Sequence, residues 1–241
     1  MGFSKIPYQI EYIHYYILEE KIMNKELLFG FGFLLTLALL FMPSCDSVTT
    51  QSSVDQSLET VEEVSVIEGA SNATITVNRT QDAYFALSFS NINTNSIISN
   101  GDGEGWCIDW QKPIDSDGGV YSDIQLYSTY NVKGWQPINY LFNIIDQLKA
   151  DEPKITYREV QVAIWSMRGN PVFDLDTVEV TDLPSRMQSD GEYNFDREIV
   201  DYILKVVEDG HSDFVPTEGS RFAVIAETPV DVQTVITVVE K

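Results

Sequence analysis

Cysteine is nearly missing from this chain. Only Cys45 and Cys107 occur in 241 residues, too few for a multi-bridge disulfide framework. Basic side chains are also scarce, 15 against 37 acidic ones, for a formal net charge of −22. That balance argues against a nucleic-acid partner, which needs a basic patch to meet phosphates. A uniformly acidic surface speaks first for solubility. Histidine is rare too, and His211 is the only one beyond the first 14 residues. Long apolar runs amount to one, "LLFGFGFLLTLALLFM" at 27–42, shorter than the roughly 20 residues of a bilayer-spanning helix. What is plentiful is core material. Hydrophobic residues make up 44% of the chain, enough for a single sizeable domain.

The apolar run has a basic residue, Lys25, in front and the small residue Ser44 behind it, the plan of a secretory signal. Residues 1–22 are too aromatic and acidic for a signal's front and read as an upstream extension, with translation expected to start at Met23. The signal then covers 23–44. "MPSC" at its end resembles the lipobox of bacterial lipoproteins. The resemblance implies cleavage before Cys45, acylation of its thiol and a membrane anchor at that residue. An ordinary secretory signal with an incidental cysteine is the plainer alternative. If Cys45 carries lipid, Cys107 is the only thiol left in the exported chain, and an internal disulfide is excluded. Residues 45–64, rich in Ser, Thr, Gln and acids, read as a flexible tether to the folded domain, 65–241.

Within that domain "ATITVN" (73–78) and "AYFALSFS" (83–90) alternate apolar and polar residues, which predicts half-buried strands with Ala83, Phe85, Leu87 and Phe89 on one face. Residues 91–105 read as a polar, glycine-rich loop leading into a short strand, "WCIDW". The acidic stretches 100–105 and 115–119 lack the closing glutamate of a calcium loop and read as turns. "VYSDIQLYSTYN" supplies another strand. Apolar spacing predicts helices over 136–150, from Thr156 to Gly169, and over 195–210. Thr156 and Glu159 form a capping-box pattern at the second of these. Its expected buried stripe is Val160, Ala163, Ile164 and Met167. Two strands, 221–227 and 232–240, close the chain. The order strands, helices, strands predicts α+β: antiparallel sandwich- or barrel-like sheets, with a helical region inserted between the Cys107 strand and the C-terminal hairpin.

Cys107 sits between Trp106 and Trp110, and packing alone would explain a lone thiol there. Tyr157, Gln161 and Trp165 follow each other at i, i+4, i+8, which sets a carboxamide at the edge of the core between two aromatic rings. Taken together, "WCID" with "KPIDSDGGVY", "INYLFNI", "VQVAIW" and the closing "DFVPTEGSRFAVIAETPVDVQTVITV" resemble the thioester domains of bacterial surface adhesins, over about 83–239. The resemblance implies an internal thioester between the Cys107 thiol and the Gln161 side chain. Trp106, Trp110, Tyr157 and Trp165 would surround it and keep water out. No metal or organic cofactor is expected. The implied partner is a host or surface macromolecule presenting an amine, and the implied location is the cell envelope, lipid-anchored and surface-exposed. The domain would be a self-reacting binder rather than an enzyme.

Two other readings stay open. A transglutaminase-like cysteine enzyme would use Cys107 as nucleophile and His211, followed by Asp213, as base. A non-covalent glycan- or protein-binding module would use exposed aromatics such as Tyr121, Tyr127, Tyr130 and Trp135.

Overall fold

The computed structural model describes residues 63–241. The upstream extension (1–22), the signal (23–44), Cys45 and the tether through residue 62 lie outside the described residues. Among those described, no helix is long and apolar enough to cross a membrane.

The domain is α+β, and its strands close into an antiparallel barrel. In chain order the strands are β1 (Ser65–Val66), β2 (Ala73–Asn78), β3 (Phe85–Ser90), β4 (Gly101–Cys107), β5 (Asp117–Ser128), β8 (Arg221–Glu227) and β9 (Val235–Glu240). The short strands β6 (Gln188–Ser189) and β7 (Glu192–Tyr193) form a separate ribbon. The sheet runs β1-β5-β2-β3-β4-β9-β8, and a further β5–β8 pairing closes it. Closure depends on the length of β5. Residues 117–124 of that strand pair with β2, while Gln125–Ser128 pair with β8. Barrel closure removes open edges that would otherwise recruit other chains.

Burial along the strands shows where the helices lie. β2 and β3 alternate buried and half-exposed residues, as expected where one face meets solvent. β8 is buried without interruption from Phe222 to Ala226 because α1 (Gln136–Asp151) covers its other face. The docking is polar at its centre. Asn139 accepts from Ala223 N–H at 2.9 Å and donates to Thr129 C=O at 3.1 Å. One turn on, Asn143 accepts from Arg221 N–H at 2.9 Å and donates to its C=O at 2.7 Å. The two amides act as a substitute strand along β8.

The second helix, α2 (Tyr157–Arg168), starts at the expected place. Thr156 Oγ1 accepts from Arg158 N–H at 3.2 Å, and Glu159 Oε2 accepts from Thr156 N–H at 2.8 Å. The other Glu159 oxygen accepts from Asp196 N–H at 3.0 Å, at the start of α3 (Arg197–Gly210). One buried carboxylate therefore fixes the entry of two helices that pack on each other.

Three expectations change. Residues 101–105 are strand, not loop, and "WCIDW" contributes only Trp106 and Cys107 to β4. The glycines misled because their role is close packing. A Cβ on Gly105 would stand 2.5 Å from Leu87 Cγ, and one on Gly103 would stand 2.8 Å from Thr237 Oγ1. Residues 117–119, read as turn, begin β5. Gln161 is not at the core's edge but fully buried, because its flank of α2 meets the end of β4, with the segment 170–196 packed beside it at Trp165, while Met167 of the expected stripe is only half-buried. That segment brings Phe173, Leu183 and Met187 into the core with little regular structure.

Candidate functional site

Cys107 is the last residue of β4, where the strand leaves the sheet, and Gln161 lies one turn into α2. The fold brings them together although 54 positions separate them. Gln161 Oε1 accepts from the Cys107 N–H at 3.0 Å, and Gln161 Nε2 donates to the Cys107 C=O at 2.7 Å. Both side chains have zero solvent exposure. The carboxamide thus occupies both hydrogen-bonding groups of the cysteine's own peptide backbone. A glutamine buried in a core needs such partners, and here both belong to the only cysteine among the described residues.

Burial pushes the Cys107 thiol far above its usual range. The Trp165 indole N–H opposes that rise, lying close enough to favour the thiolate without reaching hydrogen-bond geometry, since it has no acceptor among the described residues. Asp109 adds to the rise and Arg186 counters it. Asp109 is itself fully buried two residues after the cysteine. Its Oδ2 accepts from Thr234 N–H at 2.7 Å and meets Lys112 Nζ at 3.6 Å, while Oδ1 has no partner among the described residues.

Of the four aromatic residues expected around the pair, three gather. Tyr84 links Tyr157 and Trp165, with ring centroids 6.3 and 5.7 Å away. Phe173 links Trp165 and Trp110 at 5.7 and 5.3 Å. Trp106 stands apart. Its ring lies 6.3 Å from Phe142 of α1, and neighbouring strand residues point to opposite sides, so it lines the helix-covered face and not the thiol. Sequence reasoning missed Tyr84, Phe173 and Arg186. Tyr84 alternates with Phe85 and so reads as outward-facing, yet it is 2% exposed. The Arg186 guanidinium stacks 4.8 Å from the Tyr84 ring and 4.7 Å from that of Tyr157, and donates to the Tyr84 carbonyl. Nothing local in the sequence marks Arg186, because its role depends on where the irregular segment runs.

His211 is not part of this site. It sits in the 3₁₀ turn His211–Asp213 that follows α3 and packs against α1. It has no hydrogen bond to Cys107 among the described residues. The aromatics considered for a sugar platform are occupied. Trp135 is buried beneath the Arg168 guanidinium. Tyr121, Tyr127 and Tyr130 are half-buried, with their hydroxyls bonded to Asp115 N–H, Glu227 and Pro216 C=O.

With that geometry established, comparison with known proteins adds no relative: no family model, no curated protein and no solved structure matches the chain.

Proposed function

We propose that the domain carries an internal Cys107–Gln161 thioester and uses it to attach covalently to an amine on a target macromolecule. The observation that carries this reading is the double hydrogen bond between the Gln161 carboxamide and the Cys107 backbone at a site with no solvent exposure. Holding the two groups together in this way supplies a high effective concentration for an otherwise sluggish acyl transfer. In bond formation Sγ adds to the Gln161 side-chain carbonyl carbon, the C–N bond breaks, and the thiol proton leaves with nitrogen as ammonia. The Cys107 N–H is already directed at the oxygen on which negative charge would develop.

Attack by a target amine reverses the sulfur chemistry. The C–S bond breaks, an amide forms with Gln161, and the amine's proton is taken up by sulfur. The greater stability of an amide over a thioester gives this step its direction, because nitrogen donates its lone pair to the carbonyl more strongly than sulfur does and the thiolate is the better leaving group. The cysteine-enzyme alternative requires a base beside the nucleophile, and His211 lies in the turn after α3 with no hydrogen bond to Cys107 among the described residues. The exported, lipid-anchored location belongs to the same proposal and rests on the segment ending at Cys45.

Intact-mass measurement tests the bond. The purified protein is expected to be lighter than its sequence by one ammonia, to regain mass as an adduct with methylamine, and to lose the deficit on Cys107→Ala. An unmodified mass in the wild type sinks the proposal. His211→Ala is expected to leave the adduct yield unchanged.

A further inference from the structure

A cavity of about 510 Å³ adjoins the site, and its charge is opposite to that of the molecule. Arg79, Lys112 and Arg186 line it against a single carboxylate, Asp182, in a chain of net charge −22. Lys112 is engaged by Asp109. The two arginines hold only neutral groups. Arg79 Nε donates to Ser116 Oγ at 3.0 Å, and Arg186 donates to the carbonyls of Thr80, at 3.0 Å, and of Tyr84. Neither guanidinium meets a carboxylate within 4.0 Å among the described residues. Gln233 also lines the cavity, and its side-chain Oε1 is buried with no donor among the described residues. Tyr84 borders both spaces, lining the cavity while its ring lies against Trp165 beside Cys107.

We infer that this cavity docks a carboxylate-bearing peptide segment of the target, an Asp or Glu side chain close in sequence to the lysine that is acylated. Guanidinium groups without a carboxylate partner are matched by planar carboxylates, which they bind through paired hydrogen bonds. The unpartnered Gln233 oxygen is an acceptor awaiting a donor, which a peptide N–H supplies. A cluster of cations also disfavours the protonated form of an approaching lysine, which raises the fraction present as free amine. A lone lysine would be repelled, whereas one beside an acidic residue is admitted. The docking half stands without the thioester; only its link to acylation rests on the function proposed above.

The test uses the full chain and three fluorescent peptides, each with one lysine flanked by glutamates, serines or arginines. Binding is read by anisotropy on the Cys107→Ser variant, which cannot form the bond, and covalent capture is read on the wild type. The glutamate peptide is expected to bind about ten-fold more tightly than the serine peptide at low salt, a preference that shrinks as salt is added. Arg79→Glu, at an exposed position, is expected to abolish the preference, and Arg79→Gln to reduce it. Equal binding of the glutamate and serine peptides, or tightest binding of the arginine peptide, overturns the inference. If the glutamate preference holds while methylamine and all peptides fail to form adducts, the docking site stands and the thioester reading falls. If adducts form with no regard to flanking charge, the thioester stands and the docking site falls.

Discussion

Gln161 does two jobs through one amide group, and they are separable. It completes the hydrogen bonding of the Cys107 backbone, and it is the proposed acyl group. Gln161→Ala would strand a buried N–H and a buried C=O that the intact carboxamide satisfies, at a cost of about 2–5 kcal/mol, so its urea midpoint should fall well below that of Cys107→Ala, where the carboxamide is retained. Cys107→Ala keeps both backbone bonds and creates only a small void, so it should cost clearly less while removing all reactivity toward amines. A variant pair with the opposite ranking would show that the carboxamide is not held as described. The residue scale is also where the sequence was least complete. Cys107 and Gln161 could be picked out, and Trp165 with them, from short motifs. Tyr84 and Arg186 could not, because alternation places Tyr84 outside and nothing in the strand itself shows that residues 180–187 fold over it.

The helices depend on a few polar side chains that act between elements. Glu159 is the clearest case, with one oxygen in the capping box of α2 and the other on the first turn of α3. Glu159→Ala should therefore cost more than an ordinary lost cap of about 1 kcal/mol, roughly 2–3 kcal/mol by denaturant titration, whereas Thr156→Ala should stay near the ordinary value. Asn139→Ala would remove the bonds that join α1 to Ala223 and Thr129 and is expected to be among the most damaging single changes on that helix, checked by thermal melting. Capping and periodicity made all three helices legible with ends correct to within two residues, since both are local. The sheet was less legible. Its glycine-bearing strand β4 looks like a loop until the neighbours that exclude a side chain are known, and those neighbours, Leu87 and Thr237, lie far away in sequence.

For the whole molecule, alkaline pH is the revealing perturbation. Burial, and next the hydrogen bond to Glu227, raise the Tyr127 pKa from 10 to about 12. The folded state thus holds this proton more tightly than the unfolded chain does. Its contribution is intact below pH 10 and is lost as pH climbs through 12, so the melting temperature should decline across that window. Tyr127→Phe should make the decline shallower while leaving the part due to Tyr84, which burial also pushes up, and a decline of unchanged steepness would show that Tyr127 contributes nothing. The pairing of β4 with β9 has a further consequence, one of timing. Cys107 is opposite Val235, and the Asp109 carboxylate is held by the Thr234 N–H. That stretch lies far downstream of Cys107 in the sequence, so the surroundings of the cysteine stay unfinished until β9 has been made. The hairpin of β8 and β9 thus sets the earliest moment at which Cys107 and Gln161 can be enclosed together.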